Sequence, residues 1–135
     1  QSAIVFNSKK SGIVELGGGV PKNTAQQTGP LLDQILRQNH GGQDYILQIT
    51  DARPDTGGLS GATLQEGKSW GKIKDAHHDM ITVYADTTIA FPILALYVIS
   101  NQKPRKPKRI YKKIDKYYDN LKKEFLGIPE KFYEK

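Results

Sequence analysis

"DYILQIT", residues 44–50, is a short apolar run bounded by glycine on one side and aspartate on the other, and it reads as a β-strand. Its nearly continuous centre, "YILQI", suits a strand in a sheet covered on both faces. Upstream, "SGIVELGGG" (11–19) puts β-branched residues before three glycines, the pattern of a strand entering a tight turn. Downstream, "MITVYAD" (80–86) is a third strand. Between the first two lies "PKNTAQQTGPLLDQILRQN" (21–39), which predicts a helix with Pro21 in its first turn and Leu31, Leu32, Ile35 and Leu36 on one face. Gly29-Pro30 should kink this helix, and Gly41-Gly42 should stop it.

"DARPDTGGLSGATLQEGKSWG" (51–71) begins as a loop and turns helical from about Thr63, where Thr63 and Glu66 match a capping box. "TTIAFPILALYVISN" (87–101) predicts a helix capped by Asp86 or Thr87. Strands alternating with helices imply an α/β fold: a Rossmann-like parallel sheet with crossover helices. Ligands of such sheets gather at the carboxyl ends of the strands, which here carry residues 17–19, 51–58 and 86–88.

Composition narrows the chemistry. The 135 residues suffice for one domain with a modest core, and 37% of them are hydrophobic. There is no cysteine, which removes disulfides, cysteine-bound zinc, iron–sulfur clusters and thiol catalysis, and fits a cytoplasmic setting. No apolar run is long enough to span a membrane. The first ten residues lack the hydrophobic region of a secretory signal and start without methionine, so a processed or partial chain is expected. His77 and His78 are adjacent and cannot both face one ion on most backbones, and His40 is unremarkable; no metal site is expected.

The net charge of +6 is unevenly spread: residues 103–135 hold 12 basic and 5 acidic side chains, while the rest holds 8 and 9. "KPRKPKR" (103–109) reads as a linker. "IYKKIDKYYDNLKKEFLG" (110–127) reads as a basic amphipathic helix with Ile110, Ile114, Tyr117, Tyr118, Leu121 and Phe125 in a stripe, ended by Gly127 and Pro129. Such a tail can touch nucleic acid or an acidic partner; a solvated extension docking on the body or another subunit is preferred, and no nucleic-acid partner is expected.

Three motifs carry possible chemistry. "GGGVPK" (17–22) allows backbone to approach a ligand, although Lys22 stands where a dinucleotide motif has its third glycine. "DTGGLSGA" (55–62) is either a loop that closes over a ligand or an ordinary exposed loop. Asp86 either accepts hydrogen bonds from a ribose or caps a helix, and local sequence favours the cap. Within "EGKSWGKIKD" (66–75), Lys72 follows Trp70 by two positions and Glu66 by six. A lysine forms an imine only as a neutral amine, which an apolar wall such as Trp70 would favour. The indole can also hold a cationic amine, with Glu66 pairing the charge.

"ELGGGVPKN", "DYILQITDARPDTGGLSGATLQEGKSWGKI" and "VYADTTIAFPILA" together resemble the deoxyhypusine synthase family, over residues 11–98 and most closely its archaeal and bacterial deoxyhypusine-synthase-like branch. The basic tail has no counterpart in this resemblance. It implies that residues 1–102 are the C-terminal part of an NAD-binding catalytic domain, with 103–135 a basic linker and appended helix. It further implies NAD-dependent transfer of an aminobutyl group from spermidine, through an imine on Lys72, to a lysine of a translation factor. Asn23, Gly57, Gly58, Glu66, Ser69 and Trp70 correspond to the polyamine site; Gly18, Asp51, Ala52, Asp86 and Thr87 correspond to NAD contacts. A companion N-terminal chain and a tetramer are implied as well. Two departures stand out: Asn23 replaces a histidine of eukaryotic members, and Leu59 replaces an acidic residue. They open one alternative, homospermidine-like transfer to a small amine. The rivals from other classes are a non-catalytic partner subunit, against which intact Lys72, Trp70 and Glu66 argue, and a basic binding module acting through the tail.

Overall fold

A computed structural model describes residues 1–74 and 80–127; the adjacent histidines 77 and 78 and the helix-ending Pro129 lie outside them. The described elements run α1 (Ser2–Phe6), β1 (Gly12–Leu16), α2 (Val20–Gln26), a single turn α3 (Thr28–Pro30), a π-turn (Leu31–Ile35), β2 (Tyr45–Thr50), α4 (Leu64–Ser69), β3 (Met80–Tyr84), α5 (Thr87–Asn101) and α6 (Ile114–Leu126). Short 3₁₀ turns occupy Pro54–Thr56 and Ile110–Lys113.

The three strands form one parallel sheet in the order β1-β2-β3, with Glu15 beside Gln48 and Gln48 beside Thr82. An order that advances in one direction has a consequence. Right-handed crossovers taken in the same sense lay their helices on the same face. Thus α2 and α4 both cover the face that carries Glu15, Ile46, Gln48 and Met80: Leu64 of α4 packs with Ile46, Ile73 and Met80, and Gln26 of α2 bonds Glu15. The expectation of a sheet covered on both faces is met only in part within these residues: on the opposite face Ile49 is 1% exposed, but the cover is incomplete. The opposite face leaves Val14 58% and Ile81 56% exposed, and α5 buries none of its side chains.

The helix expected over 21–39 is broken into three pieces. Pro30 has no N–H to donate, and beyond it Leu36 N–H bonds Leu31 C=O at 2.9 Å, a π-type bond. The helical path ends at Leu36 rather than at the glycines, because the Asp33 carboxylate accepts from the His40 and Gly41 amides and turns the chain. The Thr63 half of the expected capping box forms, its hydroxyl accepting from Glu66 N–H at 3.2 Å. Of the two candidates for the α5 cap, Asp86 takes the position, accepting from Thr88 N–H at 2.7 Å.

A second apolar cluster joins the chain ends. Leu121 of α6 is buried with Ala3 and Val5 of α1 and with Leu32, and Tyr117 packs against them. Asn7 donates to Tyr117 C=O at 3.0 Å, and Asn120 donates to Asn7. The buried stripe of α6 is therefore narrower than its sequence pattern, with Tyr118 facing out. A five-residue helix such as α1 has too little periodicity to be read from sequence; packing against α6 holds it.

Candidate active site

Lys72 sits just past the C-terminus of α4, where Gly71 takes a left-handed φ of 70° and its amide bonds Lys68 C=O. The backbone around it is pinned on both sides. Lys72 N–H donates to Gly67 C=O, Lys72 C=O accepts from Gln43 N–H, and Lys74 N–H donates to Gln43 C=O. This strip, bridged to Gln43 through Ile73, passes directly over Gly42. The amine of Lys72 reaches across to α2 and donates to Asn23 Oδ1 at 2.7 Å.

The two side chains open into a cavity of about 360 Å³ that Lys22, Gln26, Leu59, Ala62, Glu66 and Trp70 also line. The structure thus brings together Lys72, Asn23, Glu66 and Trp70. Gly57 and Gly58 lie outward on the loop, and Ser69 bonds Glu66 C=O within its own helix at 2.7 Å; among the described residues, none of these three lines the cavity. Trp70 is 67% exposed, so within this chain the indole forms one open wall and does not enclose the amine as the sequence suggested.

Beneath the cavity lies a buried polar layer that the strand patterns concealed. Gln48, 1% exposed in the middle of β2, donates to Gly17 C=O and to Ser60 C=O at 3.1 and 3.0 Å. Lys22, 6% exposed, donates to Gln48 Oε1 at 3.1 Å and to Ala62 C=O at 2.5 Å. Gln26 donates to Glu15 Oε1 at 2.7 Å, while Glu15 Oε2 is buried with no bonding partner among the described residues. The signal available in sequence was small: polar residues at inward positions of two otherwise apolar strands.

Burial pushes the Glu15 carboxyl upward, opposed by the Gln26 hydrogen bond and the charges of Lys22 and Lys72. Burial likewise pushes the Lys22 amine downward, opposed by Glu15. A carboxyl raised in the folded state stabilises the fold below its ordinary value of 4.5, and this contribution is lost as pH rises through the raised value. Glu15→Gln, neutral throughout, should therefore gain stability relative to wild type between about pH 4 and pH 7. Denaturant unfolding at the two pH values measures this, and a difference that does not change with pH refutes the assignment.

The residues matched to cofactor contacts lie at the carboxyl ends of the strands, and they separate into two groups. Gly18 presses on the loop, since a Cβ there would meet Ser60 Cα at 2.5 Å; close packing accounts for this glycine. Asp51 borders a distinct cavity of about 500 Å³ with Arg53, Pro54, Tyr84 and Ala85. Ala52 N–H bonds Thr50 Oγ1 beside it, and Asp86 and Thr87 begin α5 next to Ala85. The two Thr88 hydrogen bonds, from its hydroxyl and its amide, hold the Asp86 carboxyl below its ordinary range.

Comparison with known proteins identifies the family. The deoxyhypusine synthase family model matches residues 1–98. A deoxyhypusine synthase-like protein of Nostoc sp. (strain PCC 7120) is 45% identical over 139 residues, covering 99% of this chain and 36% of the relative. Its counterpart in Nostoc punctiforme is 48% identical, covering 93% and 34%. A probable deoxyhypusine synthase 2 of Archaeoglobus fulgidus is 43% identical over 104 residues, covering 77% and 34%. The basic tail, which the sequence resemblance left without a counterpart, is therefore aligned in the Nostoc sp. relative. The chain spans about a third of the length of the curated relatives it matches. With the family model covering the sheet, the glycine turn and the Lys72 strip alike, this chain belongs to the deoxyhypusine synthase family.

Proposed function

We propose that Lys72 is the covalent nucleophile of an NAD-dependent aminobutyl transfer from spermidine, with a translation-factor lysine as acceptor. The observation that carries this is the amine of Lys72, held 2.7 Å from Asn23 in a cavity that also offers one carboxylate and one indole. Oxidation of the donor's C–N bond removes a hydride and a proton and leaves an imine. Neutral Lys72 adds to the imine carbon, the departing amine leaves with the proton, and the four-carbon fragment is held by a new C=N bond on Nζ. An acceptor amine displaces Lys72 by the same exchange, and return of the hydride gives a secondary amine.

In this scheme Asn23 orients the lysine amine and, being an amide, takes no proton from it. Glu66 pairs the ammonium of the donor, and Trp70 covers it through cation–π attraction. Trp70→Ala should weaken polyamine binding by about 0.5–1 kcal/mol, the scale for an exposed indole; calorimetry with unchanged affinity would remove Trp70 from the site. Asp51, exposed beside the larger cavity, fits the sugar hydroxyls of a dinucleotide, with Ala52, Asp86 and Thr87 alongside it. The chemistry such a cofactor supplies when bound is the removal and return of the hydride.

Residues 1–102 would then be the C-terminal part of the catalytic domain and 103–135 its basic extension, working in the cytoplasm. The exposed Val14 and Ile81 on one sheet face and the one-third span support a covering layer from further polypeptide, completing a Rossmann-like domain within a tetramer. Leu59, lining the cavity where an acid is expected, favours a second reading: transfer to a small amine in the manner of homospermidine formation. Borohydride trapping of an amine-derived adduct on Lys72 tests the chemistry shared by both readings. Absence of any adduct would leave the non-catalytic partner subunit.

A further inference from the structure

We propose that Lys22 is a positioning residue: its buried amine clasps the glycine-rich loop 57–62 onto the glycine turn 17–19, and so fixes the α2 turn from which Asn23 meets Lys72. The importance for transfer chemistry rests on the function proposed above; the clasp itself stands on geometry alone. The sequence places Lys22 in a glycine turn, where a solvated side chain would be ordinary. Instead it is 6% exposed and donates to two acceptors on different elements, Gln48 Oε1 in β2 and Ala62 C=O at the end of the loop.

Gln48 extends the clasp. Its amide nitrogen bridges Gly17 C=O and Ser60 C=O, so one side chain holds the turn and the loop together while its oxygen receives Lys22. Gly18 lets the two segments meet without a side chain between them, because a Cβ there would overlap Ser60. Leu59 and Ala62 of the same loop line the cavity, and Lys22 and Asn23 are consecutive on α2. A shift of the loop is therefore transmitted to α2 through the Lys22 amine, and from α2 to the Lys72 amine through Asn23. The loop is pinned as a wall of the cavity, in contrast to the closing loop that its glycines allow.

A buried ammonium with only neutral acceptors needs charge compensation nearby. Glu15, 5% exposed, is the acidic side chain of this layer, held there by its hydrogen bond from Gln26. Burial lowers the Lys22 amine, and the charge of Glu15 opposes that shift.

The test uses the full chain. In wild type, Lys22 should react with acetic anhydride at least about tenfold more slowly than exposed Lys9, the factor that one buried hydrogen-bonded amine can provide. In Lys22→Met, amide exchange over 57–62 should quicken by about tenfold while α6 stays protected. Reductive alkylation of Lys72 by butanal and cyanoborohydride should slow similarly in its maximum rate, with the half-saturating aldehyde concentration little changed. Lys22→Arg, which keeps donors and charge, should recover part of both effects. Labelling of wild-type Lys22 as fast as Lys9 overturns the clasp, even if the Met variant does not fold. Unchanged exchange over 57–62 in a folded Lys22→Met chain overturns it too. Quickened exchange with an unchanged alkylation rate would leave the loop clasped but refute any positioning of Lys72. Failure of wild-type Lys72 to alkylate would refute the proposed function alone, since labelling and exchange still decide the clasp.

Discussion

Lys72→Ala is expected to abolish trapping of an aminobutyl group on this chain while leaving the fold in place. The adduct needs a neutral amine within reach of an imine carbon, and Lys72 is the side chain whose Nζ sits in the cavity against Asn23. Losing a covalent nucleophile removes the intermediate itself, so trapping should fall by about 10²-fold or more, to the background of surface lysines. The same loss should appear with butanal, which bypasses donor oxidation and therefore reads the lysine without the cofactor. Stability should change by only about 1 kcal/mol, the net worth of one part-buried hydrogen bond. Peptide mapping after borohydride reduction reads the first effect and thermal unfolding the second. Equal labelling of variant and wild type would end the assignment.

Gly42→Ala should be the most damaging single methyl group in the described structure. Gly42 has φ +88°, which an L side chain rarely adopts, and an added Cβ would lie 2.6 Å from the backbone carbonyl carbon of Lys72 and from Ile73 N. The left-handed conformation alone costs about 1–2 kcal/mol, and the overlap with unyielding backbone adds to it. A total loss of roughly 3 kcal/mol or more in denaturant unfolding is expected. Because the strip that must move is the one carrying Lys72, butanal alkylation should fall as well. Gly57→Ala is the control: φ is +71°, but the space around it is open, and a loss near 1 kcal/mol is expected. If both substitutions cost the same, the contact with the Lys72 strip is not what demands glycine at position 42.

These two expectations differ in how far they could be seen in sequence. Lys72 stood out because a tryptophan, a glutamate and a lysine rarely share ten residues in a plain surface segment, and the surrounding motifs resembled a family. Gly42 read only as a helix stop. Its partner is thirty residues away, so nothing local distinguishes a glycine that ends a helix from one that lets another strand pass. The same holds for Gly18, whose lack of a side chain answers to Ser60 in the loop. Lys22 and Gln48 were hidden for a related reason: a polar residue in an apolar strand carries no sign of whether it will be exposed or will hold two loops.

Local chemistry along the chain determined the strands, the Thr63 and Asp86 caps and the place of Lys72 after α4, because each depends on neighbours within about one helical turn or on the alternation of side chains along a strand. The meeting of Lys72 with Asn23, the polar layer under them, the open face of the sheet and the docking of α6 on α1 were decided only in three dimensions. They arise from crossovers that bring residues 22–26, 48, 60–62 and 72 to one face, and short-range propensity carries no information about which distant side chains will share it.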